Sequence, residues 1–107
     1  MKAFDVHALL AARSRAGDRY LEFLRDGFFS AGLYVLPAGA EDPQTPHQED
    51  EIYYVVKGAA SFESEGQSEA VKPGSILFVP ARAVHRFHSI EEELAVLVFF
   101  APPESSE

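Results

Sequence analysis

From Arg19 onward, turn-forming residues cut this chain into short apolar runs at near-regular spacing. The runs are YLEFLR (20–25), FFSAGLYVLP (28–37), EIYYVVK (51–57), AASFES (59–64), QSEAVK (67–72), SILFVP (75–80), VHRFHS (84–89) and ELAVLVFF (93–100). The breaks between them are Asp26-Gly27, Pro37-Ala38-Gly39, Lys57-Gly58, Glu65-Gly66, Pro73-Gly74 and the acidic run Glu91-Glu92-Glu93. Short runs rich in Val, Ile, Phe and Tyr, punctuated in this way, predict eight strands of an antiparallel sandwich or barrel. Only the N-terminus departs from the pattern. Asp5 can cap a helix over 6–16, with Val6, Leu9, Leu10 and Ala12 on one face and Gly17 as its stop.

Two of the runs, LYVLP and LAVLVFF, are apolar at every position. A strand points successive side chains to opposite faces, so both faces of these two must be covered. The expectation is the domain core on one side and a second sheet or another subunit on the other. With Phe28-Phe29 at a strand start, this predicts a homodimer.

At 107 residues the chain is one domain. It divides into an N-terminal helical segment 1–18, an all-β unit 19–101 and a flexible tail 102–107. The formal charge of −8 argues against nucleic acid and anionic membranes as partners, and favours cations. There is no cysteine, so any metal must bind through nitrogen and oxygen. No apolar run reaches the length of a signal peptide core or a membrane span, so the expected location is cytoplasmic.

The residues able to carry chemistry are few. His47 and Glu51 precede one predicted strand, and His85 follows the turn at Pro80. Two imidazoles and a carboxylate can hold a divalent transition metal and leave positions open. The same three can also form a plain buried hydrogen-bond network. Four extended residues span about 13 Å at ~3.3 Å each, too far for two ligands of one ion. Gln48-Glu49-Asp50 must therefore bend the chain if His47 and Glu51 are to meet. Tyr53 shares parity with Glu51, and Phe87 with His85, so both are candidate pocket residues, although Phe87 reads more readily as aromatic core filling. Phe62, Phe78 and Phe100 read as core. His88 has parity opposite to His85 and should point away, and His7 lies on the outside of the helix.

These stretches resemble the two motifs of the cupin superfamily, small β-barrels of the jelly-roll type. The first motif reads His, any residue, His, three or four residues, Glu, six residues, Gly. His47, Glu51 and Gly58 match it, and Thr45 stands where its first His belongs. The second reads Gly, five residues, Pro, any residue, Gly, two residues, His, three residues, Asn. Gly74, Pro80 and His85 match, with Arg82 in place of the Gly and Ser89 in place of the Asn.

The resemblance covers about residues 30–101. It implies an antiparallel jelly-roll barrel, and one divalent metal (Zn, Ni, Fe or Mn) on His47, Glu51 and His85. Thr45, Tyr53 and Phe87 then line a pocket for a small-molecule ligand. Arg82 and Ser89 occupy turn positions, where the substitutions should cost little. Thr45 removes one of four protein ligands, and Glu49 is a candidate replacement. Cupins include dioxygenases, isomerases and decarboxylases, so the resemblance implies a metal-dependent enzyme of dioxygenase or isomerase type acting on a small polar molecule. The alternative is a small-molecule-binding module without bound metal that performs no chemistry.

Overall fold

The computed structural model describes residues 1–105. Helix α1 spans Val6–Ala16. The Asp5 carboxylate accepts from the His7 N–H, and Gly17 closes the helix in the left-handed region at φ 83°. Six strands follow: β1 Tyr20–Arg25, β2 Ser30–Leu36, β3 Asp50–Ser64, β4 Gln67–Val71, β5 Ile76–Val79 and β6 His85–Ala101. All pair antiparallel, in the order β1-β2-β6-β3-β4 with β5 also on β3. The sheet folds over a core that includes Tyr53, Phe62, Phe87, Leu94 and Phe100, and β1, β4 and β5, each paired on one side only, remain as its edges. The architecture is an open jelly roll with one short helix.

Six strands replace the expected eight because two of the expected breaks are bulges inside long strands. Gly58 sits at φ 102° within β3, between register shifts against β6. A Cβ there would press on the Glu93 carbonyl oxygen and come within 2.7 Å of the Leu94 Cα. Only glycine lets the two strands bend together at this point. On β6 the acidic run Glu91–Glu93 stays in the strand, with its side chains exposed. Bending β3 and β6 puts Asp50–Val55 opposite Val96–Ala101, and Ser61–Ser64 opposite His85–His88. These long strands thus carry Glu51 and His85 toward the same interior.

Most of the two all-apolar runs is buried, and helix α1 supplies part of their second cover, while Phe99 is left 38% exposed. Leu9 and Leu10 of α1 pack over Leu33, Val35 and Ala95. One expected core residue is outside. Phe78 is 63% exposed, because Leu77 and Val79 take the inward parity of β5 and leave Ile76 and Phe78 outward. Phe62 and Phe100 are buried as expected.

Part of the segment expected as a tail lies against the sheet. The Glu104 N–H donates to Ser30 Oγ at 3.0 Å, and both the N–H and the hydroxyl of Ser105 donate to Glu49 Oε2. Arg25 also donates to the Glu104 carbonyl. Residues 106 and 107 lie outside the described residues.

Candidate metal centre

His47 comes from the loop before β3, Glu51 from the second position of β3, and His85 from the first position of β6. The chain bends at Gln48-Glu49, and one ligand atom from each of the three residues lies within 4.8 Å of the other two. Two main-chain links hold the approach. The Arg82 N–H donates to the His47 carbonyl at 2.7 Å, and the Ala81 N–H donates to Asp50 Oδ1 at 2.8 Å. The turn before His85 is therefore fastened to the loop that carries His47.

Glu51 and His85 are sealed from solvent, with side chains 0% and 1% exposed and 2.8 Å between Oε1 and Nε2. Among the described residues, Glu51 Oε2 has no hydrogen-bond partner, and Oε1 has only this contact with the imidazole. A buried carboxylate this short of donors is costly unless a cation or proton serves it. His85 Nδ1 donates to the Ala83 carbonyl at 2.9 Å, which leaves Nε2 facing the site. Burial opposes charge on His85, but Glu51, the Ala83 carbonyl and Asp42 outweigh it and hold the pKa above the ordinary 6.5. His47 Nδ1 lies 3.7 Å from Glu104 Oε2, so its Nε2 faces inward. Burial lifts the Glu104 carboxyl above its ordinary value, with His47 acting in the opposite sense and Glu49, Glu22 and Glu51 adding to the rise.

Beside the ligand cluster is a cavity of about 180 Å³ lined by Tyr20, Tyr34, Gln44, His47, Tyr53, Val98, Phe100 and Glu104. Tyr53 donates to Gln44 Oε1, and burial pushes its hydroxyl well above the ordinary range, so it stays a donor. The Tyr20 hydroxyl is buried without a partner among the described residues. Its ring lies where a Cβ on Gly32 would be, so the glycine makes room for it.

Other candidates fall elsewhere. Thr45 is exposed and lines an outer groove with Pro46 and Gln48; its neighbour Gln44 takes the inward place. Phe87 is wholly buried behind the site, packed on Tyr53 and Phe62 at 5.0 and 4.8 Å between ring centres. Glu49 is turned to Ser105, away from the cluster. His88 faces outward to Ser68 and Ser89, and His7 is exposed.

Asp42 and Gln44 went unnoticed in the sequence. They are polar residues in a loop, with no spacing to mark them. The contact that gives Asp42 its role, from the Phe87 N–H, spans 45 residues of chain.

The cupin domain family matches residues 32–101. The chain is a cupin. An uncharacterized protein of Streptomyces coelicolor is 48% identical to this cupin over 105 residues, which is 98% of this chain and 100% of that one. KdgF from Halomonas sp. superposes with a TM-score of 0.71 at 26% identity, over 78% of this chain and 76% of that one. An RmlC-like cupin with a double-stranded β-helix fold, from Methanocaldococcus jannaschii, superposes at 0.70 with 22% identity, over 78% of each chain. Among the described residues of this cupin, no helix is long and apolar enough to cross a membrane.

Proposed function

We propose that this cupin holds one divalent transition metal on His47, Glu51 and His85, and binds a small polar organic molecule in the adjoining cavity. The observation that carries the reading is the buried Glu51 carboxylate, without a donor at Oε2, converging with two inward-facing imidazoles. Zn, Ni, Fe and Mn all suit such nitrogen and oxygen donors. The metal, when bound, supplies a Lewis acid able to polarise an oxygen of the ligand.

The rest is done by the protein's own groups. Tyr20 offers an unsatisfied hydroxyl for the ligand's polar end, while Val98 and Phe100 present apolar surface to its body. Glu104 closes one side of the cavity, with Oε2 3.7 Å from His47 Nδ1. This arrangement supports an enzyme of dioxygenase or isomerase type. A cavity so provided with donors also supports a binding module without turnover, the second reading.

The test is metal analysis and titration calorimetry on protein purified without a His-tag. Wild type should bind one metal per chain, His85→Ala should abolish tight binding, and His88→Ala should leave it nearly intact. Absence of binding after loading with each of the four metals would overturn the metal reading. Oxygen uptake across a panel of catechols, thiols and keto acids then separates a dioxygenase from a binding module.

We also infer a homodimer. Ile52, Tyr54, Ile76, Phe78 and Phe99 are all at least 38% exposed, and their pairings place Ile52 beside Phe78 and Phe99, and Tyr54 beside Ile76. An apolar sheet face of this kind is well suited to pack against its own copy. The acidic charge and lack of cysteine suit the cytoplasm, the location we propose.

A further inference from the structure

The cupin motif has a histidine where this chain has Thr45, and Thr45 is exposed. The Gln44 amide, from the neighbouring position, reaches the ligand cluster instead. Gln44 Oε1 lies 3.2 Å from His47 Nε2, 3.3 Å from His85 Nε2 and 3.1 Å from the Tyr53 hydroxyl. The orientation of this amide is settled by its other end. Gln44 Nε2 donates to Asp42 Oδ2 at 2.8 Å, and a carboxylate can only accept. Asp42 is itself buried and held in place, accepting from the Tyr34 hydroxyl at 2.6 Å and from the Phe87 N–H at 2.9 Å. The amide oxygen is therefore the end presented to the imidazoles.

The lone pairs converge. His85 Nδ1 is committed as a donor to Ala83, so the neutral ring turns its Nε2 lone pair toward Gln44 Oε1. Glu51 Oε1, from a buried carboxylate, lies 2.8 Å from the same Nε2. An amide oxygen has two lone pairs, and Tyr53 uses one. The second has no donor once both imidazoles present bare nitrogens. Two ring nitrogens, a carboxylate and an amide oxygen meeting in this way make a donor set for a cation.

We propose that Gln44 is the fourth protein ligand of the metal, through its carbonyl oxygen, and that Asp42 is the positioning residue that aims it. This rests on the three-ligand reading above and adds to it. The set becomes two nitrogens and two oxygens, in place of the three nitrogens and one oxygen that the motif provides. Oxygen donors of this kind favour harder ions, so the site should lean toward Mn²⁺ or Fe²⁺.

The test uses the full chain titrated with MnCl2, free Mn²⁺ being read by electron paramagnetic resonance, and with CoCl2, whose visible bands report the ligand field. Wild type should bind both ions, and His85→Ala should bind neither tightly. Gln44→Ala and the near-isosteric Gln44→Leu should each lose roughly 10- to 100-fold in Mn²⁺ affinity and shift the Co²⁺ bands. Asp42→Ala, which removes the acceptor that holds Gln44 Nε2, should lose about tenfold, with the bands shifted, because the amide is no longer aimed. Circular dichroism and thermal melts identify any variant that fails to fold, and Gln44→Leu stands in if Gln44→Ala does. If wild type binds, His85→Ala does not, and both Gln44 variants match wild type in affinity and spectrum, the role of Gln44 is overturned while the three-ligand site stands. If wild type binds neither ion, the metal reading fails and this inference fails with it.

Discussion

The Arg82 N–H donates to the His47 carbonyl across 2.7 Å, and to reach it Arg82 takes a left-handed backbone at φ 68°. This residue replaces the glycine of the second cupin motif. Ser89, which replaces the motif's asparagine, is also left-handed, at φ 52°. Both departures from the motif thus fall where the backbone favours the residue that is missing, because Gly and Asn enter this region at little cost. The site is assembled through a turn that carries some strain.

Arg82→Gly should therefore stabilise the fold. Relief of about 1–2 kcal/mol of left-handed strain is partly offset by about 0.4–1 kcal/mol of extra freedom in the unfolded chain. The net gain should be about 0.5–1 kcal/mol in urea denaturation, and Ser89→Asn should add a few tenths on the grounds above. A loss of stability on Arg82→Gly would show that the side chain makes a contribution the backbone argument omits.

Gly58→Ala should act in the opposite direction. The new Cβ meets β6 main chain, which cannot swing aside, and φ stays at 102°. The loss should be at least about 2 kcal/mol. Because the bulge sets the bend of β3, metal binding should weaken as well. A variant as stable as wild type in thermal denaturation would contradict the close approach of β3 and β6.

The stability of the metal-free protein should fall as pH rises above neutral. His85 binds its proton more tightly folded than unfolded, since its folded pKa lies above the ordinary 6.5. Its contribution is fully present below 6.5 and is lost as pH rises through the higher folded value. Metal affinity should climb over the same interval, since the ion displaces that proton. Denaturation midpoints at a series of pH values with chelator present, set against His85→Gln, isolate the effect. Parallel curves for the two proteins would remove His85 as the source.

Phe78→Glu should give a monomer. The side chain is 63% exposed in the single chain, so its replacement should change monomer stability by no more than about 0.5 kcal/mol. Sedimentation velocity at micromolar concentration should show dimer for wild type and monomer for the variant. A wild type that sediments as a monomer would leave the apolar face without the partner inferred for it.

The sequence by itself determined the sheet, the helix and the three candidate ligands. Turn residues at short intervals leave nothing but strands, and Asp5 and Gly17 bound the one helix, because both are local effects. The bend that brings His47 toward Glu51 was also legible, since an extended chain would hold them apart. Tertiary structure decided whatever depended on contacts distant in sequence. Gly58 reads as a turn until β6 is seen pressed against it, and it then becomes a bulge inside one long strand. Phe78 reads as core by composition, but pairing with β3 sets the parity of β5 and puts it outside. Helix α1 covers Leu33 and Val35, which no periodicity could assign to it. Asp42 and Gln44 are ordinary loop residues until the fold brings Phe87 and Tyr34 to Asp42. A hydrogen-bonded carboxylate then fixes one end of an amide, and so decides which atom faces the site.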